Sequence, residues 1–312
     1  MDVISMGEVM VELQAADPST PDLRRVSYAG DTYNTAIYLA RLGLETAFMT
    51  RLGRDSFSQE LREIIQKEGL SSEFLAEDSH KVIGLYGISL TASGERSFTY
   101  WRSDSAARQL FSNAEDEQKL KSAFARTRCL YLSGITLAII SEGARERLFA
   151  LLDEFRKAGG EVVFDNNYRP KLWEDEATAQ NVCKSAFKVS SIALLTDEDY
   201  YALYGDQQPE QVIETCTRYG VSTVVLKRGA QDVWVNGQNV TKTITVPRVD
   251  QVVDTTAAGD SFNAGFLAAY LKGASLEQSA EQGIRCAQLV IQHRGAIIDK
   301  GLFLQGFNRQ KN

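Results

Sequence analysis

The chain has 312 residues, 44% of them apolar and 24% charged, a globular composition with enough length for one large α/β domain or two small ones. Its formal net charge of −7 argues against a nucleic-acid partner, which calls for a basic face. Two histidines leave little material for a Ser-His-Asp triad or a histidine-rich metal centre, and Cys129, Cys183, Cys216 and Cys286 form no CxxC pair, which fits buried free thiols better than a zinc site or a disulfide framework.

In chain order, Met1 to Glu8 lacks the basic region and apolar run of a signal peptide. Val3 to Val9 reads as a first core strand, and with no apolar run of transmembrane length the cytoplasm is the expected location. Thr35 to Leu42 reads as a helix closed by Gly43, and Thr46 to Thr50 as a second strand. Asp55 should cap a helix whose apolar positions Phe57, Leu61, Ile64 and Ile65 keep helical spacing up to Gly69. The period then changes to two: Val82 to Thr91 and Ser97 to Arg102 flank a turn at Ala92-Ser93-Gly94-Glu95, a hairpin able to stand off the main sheet as a lid.

From Cys129 onward, strands at Cys129 to Leu132, Glu161 to Asp165, Ile192 to Thr196 and Thr223 to Lys227 alternate with helices at Ser141 to Ala158, Asp175 to Val189 and Glu210 to Tyr219. That alternation implies right-handed βαβ units and a mostly parallel sheet covered on both faces, with ligands beyond the carboxyl ends of the strands. Those ends carry Ser133-Gly134, Asp165-Asn166-Asn167-Tyr168-Arg169, Thr196-Asp197-Glu198-Asp199 and Lys227-Arg228-Gly229. No repeat or linker divides the chain, so residues 1–312 are expected to form a single domain with a small β lid drawn mainly from about 10–28 and 82–102.

The most informative segment is Asp254-Thr-Thr-Ala-Ala-Gly-Asp-Ser-Phe-Asn-Ala-Gly-Phe266. Ala257, Ala258 and Gly259 leave backbone N–H groups bare at the start of an apolar helix, where unpaired donors and the helix dipole attract anionic oxygens, and Asp260 lies within reach of whatever those donors hold. An ordinary helix start with Asp260 as its cap is the plainer alternative. Earlier in the chain, Gly30, Asp31 and Asn34 offer close backbone approach and polar contacts suited to a hydroxyl-rich ligand, or else a turn with Asn34 as the helix cap. In the hairpin, Tyr100 and Arg102 share a strand face, and together with Tyr86 could cover an anionic, hydroxylated molecule whose carboxylate Arg102 grips. Arg169, at a strand end, could bridge a carboxylate and a transferring phosphoryl group. Lys227, Arg228, Gly229 and Ala230 could receive nucleotide phosphates, although taken alone they read better as a solvated turn. Neither GxxxxGK[ST] nor a strand-to-helix GxGxxG occurs.

Collinear from about Met1 to Lys300, these segments resemble the ribokinase-like (PfkB) carbohydrate kinases, in particular their ketodeoxygluconate branch. The matching stretches are Gly30-Asp31-Thr32-x-Asn34, Gly94-Glu95-Arg96-x-Phe98-x-Tyr100-Trp101-Arg102, Tyr131-Leu132-Ser133-Gly134-Ile135, Phe164 to Pro170, Asp254 to Gly265 and Arg294-Gly295-Ala296-Ile297-Ile298. The resemblance implies a three-layer α/β/α domain with a β lid, and an ATP-dependent kinase that phosphorylates the 6-hydroxyl of 2-keto-3-deoxy-D-gluconate. Carried over, Asp260 is the base and the amides of Ala257, Ala258, Gly259 and Asp260 form the anion hole. Gly30, Asp31, Asn34, Tyr86, Tyr100, Arg102 and Arg169 contact the substrate, while Asn167, Arg169, Lys227, Arg228, Gly229, Ala230, Asp232, Ala257 and Gly259 lie beside the nucleotide. Magnesium is expected with the nucleotide phosphates, and no side chain is assigned as its ligand. The resemblance also leaves room for a monovalent cation near Asp254 and a homo-oligomer through the lid. The chain departs from the family pattern at Ala29, where a second glycine is usual, and at Thr196-Asp197-Glu198-Asp199, which replaces N-x-x-E.

Overall fold

The computed structural model describes residues 1–15, 23–90, 96–237 and 240–309. The strands are β1 (Val3–Met6), β2 (Met10–Ala15), β3 (Arg24–Ala29), β4 (Thr46–Leu52), β5 (Leu75–Glu77), β6 (Gly84–Leu90), β7 (Arg96–Trp101), β8 (Cys129–Ser133), β9 (Glu161–Asp165), β10 (Ile192–Thr196), β11 (Thr223–Arg228), β12 (Gln231–Gly237) and β13 (Val240–Ile244). The helices are α1 (Asp31–Arg41), α2 (Ser56–Glu68), α3 (Ala114–Ser122), α4 (Gly134–Ile139), α5 (Glu142–Lys157), α6 (Glu176–Val189), α7 (Asp197–Tyr204), α8 (Pro209–Arg218), α9 (Ala258–Tyr270), α10 (Leu276–Val290) and α11 (Lys300–Arg309).

Nine strands form the main sheet in the order β13-β12-β11-β10-β9-β8-β1-β4-β5, parallel from β11 to β5 and antiparallel only at β12 and β13. Its strands are apolar on both faces because both are covered. Leu130, Leu132, Val162, Phe164, Val224 and Leu226 join the core with Phe155 and Phe187. Tyr131, Val163, Leu194 and Val225 point the other way, into a core with Phe262, Phe266 and Phe303. This is the three-layer α/β arrangement that the strand–helix alternation implies. Caps set the helix starts where expected: Asp55 accepts the Ser58 N–H, Ser141 that of Ala144 and Asp175 that of Thr178, and Gly69 closes α2 in the left-handed conformation. Helices α9 and α10 cross backbone to backbone, since a Cβ on Gly265 would lie 2.7 Å from Gln282 O and one on Gly283 would lie 2.9 Å from Phe262 O.

Four further strands make a second sheet, β3-β2-β6-β7, in which β2 pairs parallel with β6 and the outer pairs are antiparallel. Val11, Tyr28, Leu13 and Leu85 pack its outer face on Leu61 and Ile65 of α2. On its inner face, Ser27, Glu12, Tyr86 and Tyr100 align in one row across the four strands.

Two expectations change. The stretch Val3 to Val9 is not one strand: β1 ends at Met6 and the chain leaves the main sheet at Gly7, where a Cβ would lie 2.3 Å from Thr32 Oγ1. Helix α1 begins at Asp31, not Thr35, with Gly30 as its N-cap, and the Asn34 N–H donates to Gly30 O at 2.7 Å, so Asn34 is helical and does not cap. The turn at Ala92-Ser93-Gly94-Glu95 and positions 16–22 lie outside the described residues. Among the described residues no helix is long and apolar enough to cross a membrane.

Candidate active site

The site forms at the first turn of α9. The Val253 and Asp254 N–H groups donate to Ile291 O at 2.8 and 3.1 Å, and the Asp254 carboxylate accepts the N–H groups of Thr256 and Gly295, each at 2.9 Å. So held, the chain turns through Ala257 at φ 59°, ψ 19°, a left-handed conformation that costs an alanine roughly 1–2 kcal/mol. The Ala258 N–H donates to Thr255 O at 3.2 Å, so it is not one of the bare donors that the small residues suggest. The amides of Ala257, Gly259 and Asp260 have no partner among the described residues, and they stand at the positive end of a 13-residue helix.

Asp260 is the third residue of α9, and Ala257 takes the cap position. Its buried carboxylate accepts a hydrogen bond from Asn34 Nδ2 at 2.8 Å. Burial, reinforced by the nearby charges of Asp31 and Asp165, raises its pKa well above the usual carboxylate range; the Asn34 hydrogen bond and Lys227 oppose that rise. Asp31 is raised by burial too, and its Oδ2 accepts from Asn167 Nδ2 at 2.8 Å. Asn167, at φ 21°, leads out of β9, where Asn166 joins β10 through two bonds to the Thr196 backbone at 2.9 and 3.0 Å.

Beneath α9, Asn263 donates to Asp165 Oδ2 at 2.6 Å and to Tyr131 OH at 2.9 Å, and accepts from Lys227 Nζ at 2.9 Å. Lys227 Nζ is 3.7 Å from Asp165. Arg169 pairs with Asp199 at 2.7 Å, and Arg228 with Asp197 at 3.6 Å. Gly229 takes φ 58° in the turn to β12, so Arg228, Gly229, Ala230 and Asp232 sit at a hairpin end, and among the described residues Asp260 is hydrogen-bonded through Asn34 and not through any of them.

The inner face of the small sheet meets this edge. Tyr86 belongs to an apolar cluster with Met10, Ala29, Ile88 and Ala296, against which Ala257 packs. The Tyr86 hydroxyl donates to buried Glu12, which also accepts from Ser27 Oγ at 2.8 Å. Tyr86 and Tyr100 stack with ring centroids 5.7 Å apart, and the Arg102 guanidinium lies 5.9 Å from the Tyr100 centroid. The three thus share a face, but Arg102 does not stand open: Nη2 pairs with buried Glu8, while Nε is buried with no partner among the described residues. At Gly30 a Cβ would lie 2.1 Å from Glu8 O, which closes the space beside this pair.

Glu8 and Glu12 lie outside every matched stretch, while Tyr131 and Asn263 lie inside two of them without a role having been assigned to either. A signal for the acids was present: Glu8, Met10 and Glu12 alternate with Val9 and Val11, which puts both acids on the same side of an extended chain. Asn263 lies three residues after Asp260, one helical turn along α9.

Comparison with known proteins agrees with this geometry. The chain is 41% identical over 305 residues to the 2-dehydro-3-deoxygluconokinase of Escherichia coli K12, covering 95% of this chain and 96% of that protein. It is 40% identical to that of Dickeya dadantii, with the same coverage. The crystal structure of 2-dehydro-3-deoxygluconokinase from Thermotoga maritima superposes with a TM-score of 0.86 at 23% identity, covering 99% of this chain and 98% of that one. Residues 1–300 match the model of the pfkB family carbohydrate kinases, and the chain belongs to that family.

Proposed function

We propose that this protein transfers the γ-phosphoryl group of ATP to the 6-hydroxyl of 2-keto-3-deoxy-D-gluconate. The observation that carries the proposal is a buried Asp260, held by Asn34 at 2.8 Å, in the first turn of a helix whose cap residue, Ala257, packs against the Tyr86 cluster of the small sheet. Asp260 accepts the hydroxyl proton as the oxygen attacks, and the amides of Ala257, Gly259 and Asp260 hold the phosphoryl oxygens where charge develops. Gly30, Asp31, Asn34, Tyr86 and Tyr100 contact the sugar chain. Arg102, together with Arg169, orients the carboxylate. Asn167 and the turn from Arg228 to Asp232 line the nucleotide. Magnesium bound to the nucleotide phosphates supplies charge neutralisation, and the small sheet excludes water as a lid.

The test is ADP release from ATP with 2-keto-3-deoxygluconate, 2-keto-3-deoxygalactonate, gluconate, fructose and ribose. The expected result is the highest kcat/KM with 2-keto-3-deoxygluconate; a higher value with a neutral sugar overturns the assignment. Turnover in potassium-free buffer decides whether a monovalent cation shares the loop at Asp254. The outer face of the small sheet, with Val26 44% and Trp101 60% exposed, is the surface we assign to a second copy of the chain. Light scattering on Trp101→Glu against the parent protein tests that assignment.

A further inference from the structure

We infer that Lys227 is a positioning residue for Asp260, not a nucleotide contact: its ammonium, anchored by Asn263 and Asp165 beneath the first turn of α9, is the cation that offsets the crowded carboxylates and keeps the base available. The inference rests on Asp260 being the base.

The geometry is that of an inward-facing lysine. Lys227 is 6% exposed. Its Nζ donates to Asn263 Oδ1 at 2.9 Å, lies 3.7 Å from Asp165 Oδ2, and would sit 3.5 Å from a Cβ placed on Gly259. A cation at that point opposes the helix dipole, which favours positive charge at the other end of the helix. Burying an ammonium also carries a desolvation cost. Packing of α9 alone gives no reason for this residue, whereas the charge around it does.

Three carboxylates, Asp31, Asp165 and Asp260, are gathered here, and the neighbouring charges hinder ionisation of Asp260 and Asp31. The groups that face Asp260 are Asp31 and Tyr38 from α1, Tyr86 from β6, Tyr131 from β8, Asp165 from β9 and Lys227 from β11. Arg102 and Arg169 act on Asp31, but both are engaged by carboxylates of their own, Glu8 and Asp199. Among these groups Lys227 is the cation acting directly on Asp260, and its effect is to favour the ionised form. Asn263 completes the device, since one amide holds the ammonium by its oxygen and Asp165 by its nitrogen.

The experiment compares Lys227→Met and Lys227→Arg with the parent enzyme, reading kcat/KM for the sugar acid against pH and the KM for ATP. With the cation removed, Asp260 holds its proton to higher pH. The acid limb of Lys227→Met should therefore move up by about one pH unit or more, the ATP KM should stay within about threefold, and Lys227→Arg should return the limb toward the parent position. An unmoved limb with an ATP KM raised tenfold or more overturns the inference in favour of a nucleotide contact. If Lys227→Met does not fold, Asn263→Ala keeps the charge but removes its anchor, and must move the limb in the same direction; an unmoved limb there overturns the inference equally. Asp260→Asn separates the two levels. If it turns over normally, the base assignment itself fails. If it is inactive while Lys227→Met keeps the parent pH profile, only the role of Lys227 fails.

Discussion

The carboxyl edge of the main sheet and the inner face of the small sheet both bury acids, but they hold them in different ways. At the edge, Asp31, Asp165 and Asp260 share a network of neutral amides, Asn34, Asn167 and Asn263, with Lys227 set among them. On the small sheet each acid has dedicated donors: Arg102 and Ser105 for Glu8, Tyr86 and Ser27 for Glu12. A shared, under-compensated cluster suits a group that must gain and lose a proton. Dedicated pairs fix donors in place, which suits recognition.

The comparison breaks most directly at Asp260. Asp260→Asn should lower kcat by about 100- to 10,000-fold with both KM values close to the parent. The same change should raise Tm at neutral pH. The sign follows from linkage: with its folded-state pKa above the unfolded value, Asp260 binds more protons folded than unfolded in the window between the two, so its contribution to stability falls as pH rises through that window. An asparagine escapes that loss, and the Tm gain should disappear below the unfolded pKa. A lower Tm at neutral pH would mean that the carboxylate is structurally compensated after all.

On the other side of the comparison, Arg102→Ala should raise the KM for the sugar acid roughly 10- to 100-fold, as expected for loss of a charge-assisted contact, while the ATP KM holds. Because Glu8 is left buried with the Ser105 hydroxyl but without its cation, Tm should fall as well, and adding Glu8→Gln should restore Tm without restoring affinity. Equal rises in both KM values would put Arg102 outside substrate recognition. A smaller effect is expected from Glu12→Gln, which weakens the grip on the Tyr86 hydroxyl. A severalfold rise in the sugar KM, consistent with about 1 kcal/mol for one hydrogen bond, should appear with no change in the acid limb of the pH profile. Movement of that limb would show that the two regions are electrostatically joined. The smallest effect is at Ala257: glycine removes the left-handed strain and should add up to ~1 kcal/mol of stability, with kcat unchanged, as followed by thermal melting.

Much of the main sheet was legible because its signals are local. Strands β9 and β10 span the residues expected from their apolar runs, and α5 and α6 start after the capping residues Ser141 and Asp175. The exit of the chain at Gly7 was not legible, because Val3 to Val9 is apolar enough to pass for one strand and the second sheet that receives it is assembled from distant segments. No element was read over the antiparallel strands β12 and β13 or over α10 and α11, although the Ser275 and Gln278 capping box does mark the start of α10. In the site, the motif around Asp260 stands out by its small residues, yet its electrostatics depend on Asn34 and Lys227, 226 and 33 positions away. The pairing of Arg102 with Glu8, 94 residues apart, likewise needs the small sheet closed before it exists.

The crossing of α9 and α10 has a mechanical meaning. With Gly265 and Gly283 facing the neighbouring backbone at 2.7 to 2.9 Å from where a methyl would stand, the two helices have no compliant layer between them. Side chains can repack around a disturbance, but backbones in contact cannot yield. Helix α9 is therefore seated like a part against a machined stop, and the height of its first turn above the sheet is set by the absence of two methyl groups. A single added carbon at either glycine would lift the whole first turn, Asp260 included, as a rigid piece.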